Sequence, residues 1–84
     1  MRNGPDRLRA LNVPQRVEVD LDTRGSPARI GVMNIETVRE TWRIDDEWWR
    51  EPITRTYYEV LLVGGARVVI FLDHMTREWW LQKP

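Results

Sequence analysis

Few side chains in this sequence could do covalent chemistry, and their spacing argues against it. His74 is the single histidine and stands beside Asp73 in a stretch of turn character. With no second histidine and no cysteine, a metal held there would need a mostly oxygen ligand set, so a solvated turn residue is the favoured reading. Asp45, Asp46 and Glu47 form an acidic run. Catalytic carboxylates need a cleft and separated environments, whereas consecutive acids are ordinarily solvated or meet a basic partner. Ser26, the single serine, lies in Gly25-Ser26-Pro27 with no base near it in sequence. Gly64-Gly65 lacks the helix and lysine that follow a phosphate-cradling loop. The residues therefore predict no enzyme, no cofactor and no metal site.

Recognition chemistry is better supplied. There are five tryptophans in 84 residues, and Glu-Trp-Trp occurs twice, as Glu47-Trp48-Trp49 and Glu78-Trp79-Trp80. All the basic residues but Lys83 are arginine, which stacks on aromatic rings and pairs bidentately with carboxylates. Trp49-Arg50, Arg55-Thr56-Tyr57 and Arg77-Glu78-Trp79 interleave the two types, a pattern that suits single-stranded nucleic acid when the rings are exposed. Glu47, Glu51, Glu59 and Glu78 dilute the field, and 13 basic residues balance 13 acidic ones. No net field steers the chain toward polyanions, so nucleic acid is the weaker expectation and a protein partner the stronger. The expected partner-binding residues are Trp48, Trp49, Arg50, Arg55 and Tyr57. Trp42, Trp79 and Trp80 are expected to pack.

These residues need elements to position them. The length allows one small domain whose core must be built efficiently. Met1 to Arg16, with Gly4, Pro5 and Pro14, reads as an extended or flexible arm, and residues 17–84 as the domain. Val17 to Asp22 alternates strictly between apolar and acidic, the mark of a half-buried strand. Arg24-Gly25-Ser26-Pro27 is a turn, and Ala28 to Met33 a second strand with Ile30 and Val32 inward. Asn34 to Ile44 could be a helix capped by Asn34, but the β-branched Ile35, Thr37, Val38 and Thr41 favour a strand. Asp45 to Pro52 reads as an irregular connection. Ile53–Val63 and Ala66–Leu72 flank Gly64-Gly65, a strong hairpin signal. With Val63 opposite Ala66, Tyr58, Val60 and Leu62 would share a face with Phe71 and Val69. Arg77 to Gln82 is the last strand, and adjacent Trp79 and Trp80 must point to opposite faces.

The fold class expected is all-β: a small antiparallel meander of about five or six strands, strongly curved or barrel-like. Both faces of the Gly-Gly hairpin carry apolar residues, so curvature, the amino-terminal arm or a second copy in a homodimer would cover the second face. No apolar run approaches the roughly 20 residues of a spanning helix, and Met1 to Pro14 is too polar for a signal peptide. No membrane role and a cytoplasmic location are expected.

As an ordered set, Trp42-Arg43, Glu47-Trp48-Trp49-Arg50-Glu51-Pro52, Arg55-Thr56-Tyr57-Tyr58-Glu59-Val60 and Trp79-Trp80-Leu81-Gln82 resemble a small bacterial domain of unknown function. That domain also occurs at the carboxyl end of ImuB-type proteins, Y-family DNA polymerase relatives of the mutagenic lesion-bypass assembly. Gly25-Ser26-Pro27 is similar to the family's Gly-x-Pro turn. The resemblance spans about residues 17 to 82. It implies a non-catalytic accessory module making protein contacts, with lesion-bypass polymerase components as partners in translesion synthesis. The chain has no polymerase body, which separates it from the tethered form, and no catalytic residue carries over.

Overall fold

The computed structural model describes residues 13–48 and 51–82. They form seven strands and, among the described residues, no helix: β1 (Gln15–Val17), β2 (Val19–Leu21), β3 (Pro27–Ile30), β4 (Met33–Trp48), β5 (Glu51–Leu62), β6 (Arg67–Asp73) and β7 (Glu78–Gln82). All neighbours are antiparallel and the spatial order is β1-β7-β6-β5-β4-β3-β2. The sheet is all-β and barrel-like, as the alternation and turn signals indicate.

Closure depends on one short stretch of chain. β1 and β2 are separated by Glu18 alone. Val17 pairs with Trp79 of β7, and two residues later Val19 pairs with Ile30 of β3. The Gly31 N–H donates to the Glu18 carbonyl at 2.8 Å. The first alternating segment thus serves as the edge partner of both ends of the meander, and the sheet nearly closes on it. The Val17, Val19, Leu21 alternation is expressed as two three-residue strands rather than one.

The interior is small. Ile30, Val60, Leu62 and Ile70 form its buried centre, with Val17, Val19, Ile35, Val38, Tyr58, Trp79 and Leu81 packed around them. Tyr58 and Trp79 meet at 5.5 Å between ring centroids. Burial pushes the Tyr58 phenol above its ordinary pKa.

Three expectations are corrected. The β5–β6 connection holds three residues, not two: the Leu62 N–H donates to the Ala66 carbonyl, and Val63-Gly64-Gly65 makes the turn, with Gly64 and Gly65 at φ 108° and 102°. Tyr57, not Tyr58, therefore opposes Phe71, and Tyr58 opposes Ile70. A one-residue slip moves every side chain to the other face, so Phe71 and Val69 lie on the outer face while Tyr58, Val60 and Leu62 line the interior with Ile70.

Val32 is not inward. β3 ends at Ile30, Gly31 takes φ 58°, and Val32 is 94% exposed at the turn. The stretch from Asp45 to Pro52 is not irregular either. Asp45 through Trp48 pair with Thr54 through Glu51, extending the β4–β5 ribbon past the end of β6. Pro52 is tolerated because it stands at the start of β5, beyond the reach of β6 pairing. β1 begins at Gln15, within the segment Met1 to Arg16 that reads as an extended or flexible arm, and the first twelve residues of that segment lie outside the described set.

Candidate interaction surface on the outer face

Cross-strand registers place one residue from each of five strands in a single row on the outer face. Arg16 pairs with Trp80, Trp80 with Phe71, Phe71 with Tyr57, and Tyr57 with Trp42. Four aromatic rings thus cross β7, β6, β5 and β4 consecutively. Trp42 and Tyr57 stack with centroids 5.4 Å apart and planes 7° from parallel. Tyr57 and Phe71 are tilted at 4.9 Å. Cross-strand aromatic pairs of this kind contribute roughly 0.2–1 kcal/mol each to sheet stability. The row is graded in exposure: Phe71 is 2% exposed, Tyr57 and Trp80 are half-buried, and Trp42 is 38% exposed.

Arg55 covers the middle of the row. Its guanidinium carbon lies 4.6 Å over the Phe71 ring centre, and its Nη1 donates to the Tyr57 hydroxyl at 3.2 Å. Guanidinium stacking on an aromatic face is favourable and explains how Phe71 is sheltered on an outer surface. The Arg55 Nε is buried and lacks a hydrogen-bond partner among the described residues. An orphaned donor is costly, so a partner's acceptor reaching this guanidinium would relieve a standing penalty. Beside it a cavity of about 220 Å³ is lined by Pro14, Arg55, Phe71, Asp73, Glu78 and Trp80, among others.

The rows on either side are polar and rich in acids. On one flank, Ile44 pairs with Arg55, Arg55 with Asp73, and Asp73 with Glu78. On the other, Glu40 pairs with Glu59, and Glu59 with Val69. Opposed glutamates repel; Arg67 Nε, 3.8 Å from a Glu59 carboxylate oxygen, offsets this in part. Arg16 lies 3.4 Å from Glu78. Arg16 and Arg67, beside the row, are thus each matched by an anion.

Arg55 and Tyr57, both expected at a partner site, are in direct contact. Trp48 is not with them: it ends β4 six residues beyond Trp42, roughly 20 Å along an extended strand. Trp49 and Arg50 lie outside the described residues. Trp42, expected to pack inside, stacks on the outside. Trp79 and Trp80 diverge to opposite faces as adjacent strand residues must, Trp79 against the core and Trp80 in the outer row. Phe71, Trp80 and Trp42 are not among the expected site residues; the three-residue turn at Val63–Gly65 sets the register that brings Phe71 beside Tyr57, while the β4–β5 and β6–β7 registers bring in Trp42 and Trp80.

His74 is held rather than solvated. Its backbone N–H donates to the Thr54 carbonyl at 2.9 Å, and its Nε2 lies 2.7 Å from the Thr56 hydroxyl. It fastens the β6–β7 connection to β5. No group of three or more potential metal ligands occurs among the described residues. What the arrangement can do is stack, exclude water and offer a guanidinium.

No protein-family model matches this chain, and neither a curated protein nor a solved structure matches it.

Proposed function

We propose that this domain is a non-catalytic interaction module that binds a protein partner across the row Trp42–Tyr57–Phe71–Trp80. The observation that carries the reading is the continuity of four aromatic residues across four strands, gated by Arg55. Well-packed aromatic and arginine clusters are where binding energy concentrates in protein interfaces. Arg55 and Tyr57 are the two expected contact residues that this surface includes. An apolar or aromatic partner segment with charges of both signs fits the flanking rows.

Single-stranded nucleic acid is the second reading, since bases stack on such rings. Glu40, Glu59, Asp73 and Glu78 on either side of the row disfavour a phosphate backbone. The association with DNA damage tolerance rests on the motif resemblance alone. Capture of partners from host lysate tests it: recovery of replication or repair proteins supports the association, and their absence removes it. An oligonucleotide titration separates the second reading, because phosphate binding weakens steeply with salt.

A further inference from the structure

The cavity beside the aromatic row, about 220 Å³, has apolar walls that include Phe71, Trp80, Val13 and Pro14. Small-molecule sites run to roughly 300–1,000 Å³, so this space suits one side chain rather than a cofactor. Three charged residues line it: Arg55, Asp73 and Glu78. Cross-strand registers set them in one line two residues from the aromatic row, with Arg55 opposite Asp73 and Asp73 opposite Glu78. Side chains two residues apart on a strand share a face, so all three stand on the outer face with the rings.

The charges in that line do not balance. Asp73 and Glu78 are half-buried and directly opposed, and like charges so placed are destabilising. The Arg55 guanidinium is engaged elsewhere, over the Phe71 ring at 4.6 Å and on the Tyr57 hydroxyl at 3.2 Å. Arg16 comes within 3.4 Å of Glu78, but its side chain is 58% exposed, and exposed ion pairs contribute little. A cation between the two carboxylates would relieve their repulsion and find the Trp80 ring to stack on. The Arg55 Nε asks for something different. It is buried without a hydrogen-bond partner among the described residues, and what it lacks is an acceptor. The cavity therefore calls for a cation and an acceptor in one ligand. A bare metal ion lacks the acceptor, and a phosphate or carboxylate would meet Asp73 and Glu78. A basic residue in a peptide carries both, the charge on its side chain and the carbonyl on its backbone.

We infer that this cavity is a subsite for an arginine of the protein partner, which sets its guanidinium on Trp80 between Asp73 and Glu78 and turns its main-chain carbonyl toward the Arg55 Nε. Arginine suits the site better than lysine, because a planar fork can stack on a ring and pair with two carboxylates at once. The inference rests on the interaction-module reading and deepens it: the row supplies apolar contact, and the subsite selects a basic residue in the bound segment. Guanine also combines donors, acceptors and a stacking face, but two carboxylates against one guanidinium favour the cationic side chain.

The test is an NMR titration with N-acetyl-arginine methylamide, compared with its citrulline analogue, which keeps the shape without the charge, and with guanosine. The Trp80 indole N–H and Arg55 Nε–H signals should shift and saturate in the millimolar range expected of so small a ligand. The citrulline analogue should bind roughly tenfold or more weakly. Asp73→Asn/Glu78→Gln should lose the arginine derivative while a dispersed amide spectrum shows that the variant is folded. The proposal is overturned by no saturable shift, by equal binding of the citrulline analogue, by unchanged binding in the double variant, or by saturation with guanosine alone. Failure here is distinct from failure of the binding face: partner capture that depends on Trp42, with no binding of the arginine derivative, would remove the subsite and leave the row standing.

Discussion

Trp42 stacks on Tyr57 with the two ring planes 7° from parallel, although one stands on β4 and the other on β5. The stack joins an exposed ring to a half-buried one and so connects the surface to the Arg55–Phe71 pair beneath it. An aromatic row of this kind serves stability and recognition together, and the two roles separate along its length. At the exposed Trp42 end, removal should cost binding more than folding; at the buried Phe71 end, the order should reverse.

That gradient predicts unequal stability losses. Phe71→Ala removes a buried ring and should cost about 3–5 kcal/mol, while Trp42→Ala should cost about 1 kcal/mol, the scale of a single cross-strand stack. Urea unfolding of the two variants checks the order. Equal losses would mean that the outer face is as much core as the interior.

Within the barrel, Val60 and Ile70 are fully buried and oppose Val68 and Tyr58 across the β5–β6 ladder. Ile70→Ala should cost about 2–5 kcal/mol. Trp79 is only half-buried, so Trp79→Ala should fall at or below the low end of the range for a buried Trp, about 3 kcal/mol. Chemical denaturation at neutral pH measures both.

The turn after β2 predicts a pH dependence. Asp22 accepts the Ser26 N–H at 2.9 Å and the Arg24 N–H at 2.8 Å. Those backbone bonds, Ser26 first and then Arg24, hold its carboxyl below the usual carboxylate range. A depressed folded-state pKa contributes stability that is present above the unfolded pKa and lost as pH falls through the folded one. The stability difference between wild type and Asp22→Asn should therefore be largest at neutral pH and shrink under acid. Thermal melts of the pair from pH 7 down to pH 3 would show a constant gap if the charge plays no part.

The Val63–Gly65 turn predicts sensitivity to backbone strain. A Cβ at Gly64 or Gly65 would meet nothing within 4 Å, yet both residues hold φ above 100°. Gly65→Ala should cost about 1–3 kcal/mol through backbone conformation alone. A loss well under this range, read by urea unfolding, would show that the turn can relax without moving the register.

Much of the architecture is legible in the residues. Val17-Glu18-Val19 announces a strand, Gly64-Gly65 a hairpin, and the β-branched run from Ile35 to Thr41 an extended element. The candidate surface is less so, because it depends on register. Two turn glycines fit either a two- or a three-residue connection, and only the second brings Phe71 to the outer face beside Tyr57. Asp45 to Pro52 misleads for a different reason: acids and a proline resemble a loop, but Asp45 and Asp46 are exposed on the strand, where a carboxylate costs nothing, and Pro52 meets no ladder from β6. Trp42 misleads because ring size suggests burial, whereas its partner Tyr57 is itself on the outside.

The most direct measurement is quantitative capture from host lysate by wild type and by a Trp42→Ala/Arg55→Ala variant, after circular dichroism confirms that both are folded. If the aromatic row is the binding face, a specific protein held by wild type should fall by roughly tenfold or more with the variant. Retention of the same proteins at the same yield would contradict the account.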